Sequence, residues 1–111
     1  MKSNELTSNI IRYIKLEGGQ AERVNNIARK INGRFVRSNM TKGTADIHAT
    51  IPIKIKDKIF GLSVKIEVKI AKDKQSIFQK EYQKEVEKAG GIYYIAKDYY
   101  SFYRWYNQNF K

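Results

Sequence analysis

"ADIHATIPIKIKDKIFGLSVKIEVKI", residues 45–70, alternates apolar and polar residues for most of its length. In its first half the odd positions are apolar: Ala45, Ile47, Ala49, Ile51, Ile53 and Ile55. In its second half the even positions are, from Phe60 through Leu62, Val64, Ile66 and Val68 to Ile70. Two half-buried strands joined by a turn near Asp57-Lys58 explain both runs. Pro52 lacks a backbone donor, so its strand is expected to be an edge or to bulge there.

Parity then decides which side chains meet. Both strands must turn their apolar sides to one core, so odd residues of the first share a face with even residues of the second. The opposite face collects Asp46, Glu67 and Lys69. A turn at Lys56-Asp57 sets Asp46 opposite Glu67, and one at Asp57-Lys58 sets it opposite Lys69. Either register brings the groups within about 5–8 Å at Cβ. Two adjacent carboxylates repel unless a cation lies between them, and hard oxygen ligands suit Mg²⁺ or Mn²⁺. An ammonium beside them can hold a water or steady a phosphate, the parts of metal-assisted phosphodiester hydrolysis. The plainer alternative is a cross-strand salt bridge from Lys69 to Asp46 on a wet face.

Working outward, residues 4–17 carry Leu6, Ile10 and Ile14 at helical spacing, with Ser3 as cap and Gly18-Gly19 as stop. "QAERVNN" (20–26) reads as an edge strand. Residues 27–43 read as mostly loop, with an extended piece at Phe35-Val36. A second helix covers 76–89, with Ser76 and Gln79 in a capping-box pattern. "IYYIAK" (92–97) is a strand, and Asp98 caps a last helix with an aromatic stripe from Tyr99 to Phe110, expected to be core or a dimer contact. The order gives an α/β domain, a sheet with helices packed on it.

The 111 residues make one domain with no cysteine, which excludes disulfides and cysteine-ligated zinc. No stretch is apolar enough for a membrane span or a signal peptide, and a cytoplasmic location fits. Twenty-two Lys and Arg against eleven Asp and Glu give +11, which favours a polyanion, nucleic acid before a membrane surface. Between Glu22 and Asp46 there is no acid. Arg23, Arg29, Lys30, Arg34, Arg37 and Lys42 in that stretch are candidate DNA contacts, with Asn25 beside them and His48 on the face of Asp46.

Asp46 followed by Glu67-Val68-Lys69 across a hairpin resembles the D…(D/E)xK signature of the PD-(D/E)xK nucleases. Gly43-Thr44-Ala45-Asp46 is similar to the GxxD element of the VRR-NUC family. Glu5, Arg23, Asn25, Gln79 and Gly90-Gly91 stand where that family places similar residues. Ala45 departs from the proline common in the superfamily. The resemblance runs from Glu5 to about Tyr100. It implies a restriction-endonuclease-like αβββαβ core with an extra C-terminal helix. It further implies metal ligation by Asp46, Glu67 and the Val68 carbonyl, and a water oriented by Lys69. Glu5 would join the metal shell through a water, and Gln79 would touch the water or the scissile phosphate. Glu5 in the first turn of a helix and Gln79 in a capping box also have purely structural explanations. The expected activity is a Mg²⁺-dependent endonuclease of branched DNA, acting as a homodimer. The alternatives are a nicking or restriction-type nuclease of duplex DNA and a non-catalytic nucleic-acid-binding module.

Overall fold

The two alternating runs form strands that pair antiparallel, β4 (Ile47–Ile55) and β5 (Lys58–Val68). Ile47 lies opposite Ile66, Pro52 opposite Gly61 and Ile55 opposite Lys58. This is the register that closes over Lys56-Asp57, with Lys56 in the left-handed region at φ 55°. The structure is a computed structural model and describes residues 1–24, 29–31, 34–36 and 42–111, with backbone alone for 29–31 and 34–36.

The remaining elements are α1 (Ser3–Leu16), β1 (Gln20–Arg23), β2 (Arg29–Ile31), β3 (Arg34–Val36), α2 (Ile77–Lys88), β6 (Ile92–Ala96) and α3 (Tyr99–Phe110). Strands β1, β4, β5 and β6 form one mixed sheet in that order. Its first three strands are antiparallel, and β6 runs parallel to β5 after the crossover through α2. The domain is thus α/β, a four-stranded mixed sheet flanked by three helices. The stretch read as loop holds a second, two-stranded sheet, β2 with β3, Arg29 opposite Val36.

Pro52 sits without a bulge, because the register runs unbroken through it. The Val24 N–H donates to the Asp46 carbonyl at 2.8 Å, so even residues of β4 turn their backbone groups toward β1. β1 pairs no further along β4 than Gln20 opposite Thr50. The donor that Pro52 lacks therefore faces the side where β1 has already ended. β4 is an inner strand at one end and an edge at the other.

Parity holds for the two faces. Ala45, Ile47, Ala49 and Ile51 are buried with Val64, Ile66 and Val68 under Leu6, Ile10 and Ile14 of α1 and Phe102 and Tyr106 of α3. The aromatic stripe is core: Tyr13 meets Phe102 and Tyr106 edge-on, and Tyr94 stacks on Trp105 at 4.0 Å. Helix α2 covers the other face. It buries no residue fully, and it meets the sheet through the Tyr82 hydroxyl, 3.2 Å from His48 Nε2.

One contact fixes where α2 begins. Gly43 has φ 79°, and a Cβ built there would lie 2.4 Å from the Phe78 carbonyl carbon and oxygen. Only glycine combines that backbone conformation with that approach. The turn before Asp46 thereby rests on the N-terminal turn of α2.

Candidate functional site

Asp46, Glu67, Lys69 and Gln79 line one cavity of about 390 Å³ at the end of β5. Asp46 precedes β4 and is held from two sides. Its carbonyl takes the Val24 N–H, and its Oδ2 accepts the Val68 N–H at 2.8 Å. Glu67, one residue before Val68, is only 2% exposed. Its Oε2 is buried with no hydrogen-bond partner. A buried polar atom left in that state costs about 1–3 kcal/mol, more for a charged group.

The carboxyl answers by keeping its proton. Burial pushes Glu67 up to about 9, and the hydrogen bond and charge of Asp46 push the same way. Lys69 and the Tyr93 hydroxyl pull against this. Tyr93 stands beside Lys65 on β6, on the face of Glu67. Its oxygen also accepts from Gln75 Nε2 at 3.2 Å.

The Val68 carbonyl takes a direction set by the peptide plane. The Lys69 N–H donates to Ala96 on β6 at 2.9 Å. In a trans peptide the Val68 carbonyl points the opposite way, toward the side of Asp46. Two carboxylates and a backbone carbonyl, one carboxylate oxygen buried and unpartnered, are a donor set that suits a divalent ion completing its shell with waters and phosphate oxygens. Among the described residues no group of three or more His, Asp or Glu gathers for a metal.

Gln79 serves its helix and faces the cavity. Its Oε1 accepts the Ser76 N–H at 2.8 Å, and its own N–H donates to Ser76 Oγ at 3.2 Å. The capping box uses the amide oxygen and not the side-chain NH₂. Glu5 does not line the cavity: it is exposed, and α1 presents Ser3, Asn4 and Thr7 there. These three form a helical stripe from which position 5 is rotated away. Asp73 does line it, in a turn where its N–H donates to the Ile70 carbonyl at 3.1 Å and Ala71 has φ 52°. An acid between Lys72 and Lys74, just past the ExK strand, was the available signal for it.

The expected DNA contacts divide. Arg23 reaches the cavity wall but is already engaged. Its guanidinium donates to Asn4 Oδ1 (3.0 Å), the Asn4 carbonyl (3.3 Å) and Ser8 Oγ (3.2 Å), tying β1 to α1. Lys42 is exposed, its ammonium 5.1 Å from the centre of the Phe78 ring. His48 does not line the cavity. Half-buried beneath Tyr82, its imidazole is pushed down by burial and then by Lys65, with Glu22 opposing. Both larger effects favour the neutral ring. Asn25 and Arg37 lie outside the described residues, as do the side chains of Arg29, Lys30 and Arg34.

Comparison with protein-family models, curated proteins and solved structures finds no match to this chain.

Proposed function

We propose that the protein is a Mg²⁺- or Mn²⁺-dependent DNA endonuclease on a restriction-endonuclease-like αβββαβ core, cutting branched DNA as a homodimer in the cytoplasm. One observation carries the reading: the unpartnered Oε2 of buried Glu67 beside Asp46, in a cavity that also holds Lys69. The net charge of +11 supports a polyanionic substrate.

Asp46, Glu67 and the Val68 carbonyl would hold the ion. Bound there, a divalent ion supplies Lewis acidity toward the phosphoryl group and lowers the pKa of a water. Asp46 would turn Oδ1 to this task, its Oδ2 accepting the Val68 N–H. Lys69 orients the attacking water, and the Gln79 NH₂ steadies the scissile phosphate. The water oxygen forms the new bond to phosphorus, the P–O3′ bond breaks, and the 3′ oxygen leaves with a proton. A 5′-phosphate remains.

The test incubates the protein with labelled four-way junction, duplex and single strand, with Mg²⁺ or with EDTA. Mg²⁺-dependent cutting of the junction is expected. Cutting of duplex at an equal rate would replace junction resolution by general nuclease activity. Binding without cutting in Mg²⁺ and in Mn²⁺ would overturn the enzymatic reading.

A further inference from the structure

Among the described elements, the β4–β5 hairpin continues past the strands paired with it on either side. β1 reaches only Thr50, and β6 begins opposite Val64. The ladder between them runs on through Ile55 opposite Lys58. This free arm carries Lys54, Lys56 and Lys58, all exposed, against the single acid Asp57. It also carries large apolar side chains in water: Ile55 is 56% exposed, Ile59 72% and Phe60 51%.

These side chains do not share one face. Ile55 and Phe60 continue the core face, and Ile59 projects from the other. A second copy docking on the sheet would bury one face and leave the other wet. Two such arms laid together would also bring six lysines side by side. Along the β4 edge, Pro52 has no donor to offer a partner strand. The arrangement instead matches a basic two-stranded ribbon with an apolar tip. Such a ribbon fits the major groove, and exposed apolar side chains can wedge against unstacked bases.

We infer that this arm is a nucleic-acid finger: Lys54, Lys56 and Lys58 hold phosphates at the far end of the duplex arm that flanks the cut, while Ile59 and Phe60 wedge against bases in the groove there. The inference rests on the nuclease reading and adds where the substrate is gripped. Lys58 and Glu67 are nine residues apart on β5, roughly 30 Å at strand rise. That span corresponds to about nine base pairs. The grip therefore requires a flanking duplex of at least that length.

Binding is measured by fluorescence anisotropy in EDTA, so that it does not depend on cutting. Junctions with arms of 6 or 15 base pairs and a continuous duplex are compared. The first variant combines Lys54→Ala, Lys56→Asn and Lys58→Ala, asparagine being suited to the left-handed turn position. On long-armed junctions its salt slope should fall by up to ~2.7, and its affinity by about tenfold or more. On short-armed junctions it should match the wild type. The second variant, Ile59→Ser with Phe60→Ser, should lose affinity for long-armed junctions and keep it for short-armed ones. All five positions are exposed, and an unchanged circular dichroism melt confirms folding. Unchanged long-arm affinity with cutting retained overturns the finger and leaves the nuclease standing. So does a change from dimer to monomer in sedimentation with DNA binding intact, which would make the arm a self-contact. Absence of DNA binding by the wild type overturns both.

Discussion

The two ends of one hairpin obey the same alternation and meet opposite fates. At one end Ile47 and Ile66 are sealed from water, and so is the Glu67 carboxyl; at the other, Ile55, Ile59 and Phe60 stand in solvent. Alternation determines which way a side chain points. Whether that direction is dry depends on third elements, and α1, α3, β1 and β6 all gather at the Asp46 end. The difference has chemical content. The covered end makes a carboxylate expensive to ionise, so that its charge would need a cation beside it. The uncovered end leaves lysines and apolar groups free for a partner.

The sharpest way to break the comparison is to neutralise the buried end. Glu67→Gln should reduce cutting by at least about a thousandfold in a single-turnover assay while leaving DNA binding intact or tighter. The same change should stabilise the metal-free protein. Glu67 holds its proton up to about 9 when folded, against 4.5 ordinarily. Over that window the folded state binds a proton that the unfolded state has released, so stability falls as pH rises. Thermal melts in EDTA should show the wild type losing stability from pH 5 to pH 9 and the glutamine variant losing less.

Next in size is the contact that brings α2 to the site. Gly43→Ala forces a Cβ against the Phe78 carbonyl at a positive φ. A cost of roughly 2–4 kcal/mol is expected, a fall in Tm on the order of 10–20 °C. A melt within a few degrees of wild type would mean that α2 is not seated on the Asp46 turn.

Tyr93→Phe tests what orients Glu67. Removing the hydroxyl that donates to the carboxyl, with the fold kept, should weaken Mn²⁺ binding by about tenfold in a calorimetric titration. In the wild type that affinity should itself climb about tenfold per pH unit below about 9, as binding displaces the Glu67 proton, and flatten above. A flat profile would place the ion elsewhere.

Much of this was legible in residues 45–70. Parity alone put Asp46, Glu67 and Lys69 on one side, because a sheet allows only two directions. The register was left open between two turns, and the choice fell to Lys56, a non-glycine residue at positive φ that no composition rule singles out. Strand β2 was missed, although Asn32-Gly33 between the two short strands is a hairpin signal in its own right. Three-residue strands are too brief for alternation to show. Glu5 was placed by resemblance, where helical rotation decides instead for Ser3, Asn4 and Thr7. Arg23 and His48 were read from their charge and their face. Their partners, Asn4 and Ser8 for one and Tyr82 for the other, come from elements distant in the chain, which no local pattern reveals.

The smallest expected effect isolates the lesson of the hairpin. Ile55→Ala and Ile66→Ala are the same chemical change on the same face of the same ladder. At Ile66, fully buried under α1 and α3, loss of the side chain should cost about 2–5 kcal/mol through lost burial and the cavity left behind. At Ile55, more than half exposed, denaturant unfolding should change by less than about 0.5 kcal/mol. A large cost at Ile55 in dilute monomer would show the arm folding back onto a surface of its own chain. A cost that appears only at high protein concentration would show copies covering one another's arms. With neither, the arm's apolar residues contribute nothing measurable to the folded domain, and what they do must be sought in what the arm binds.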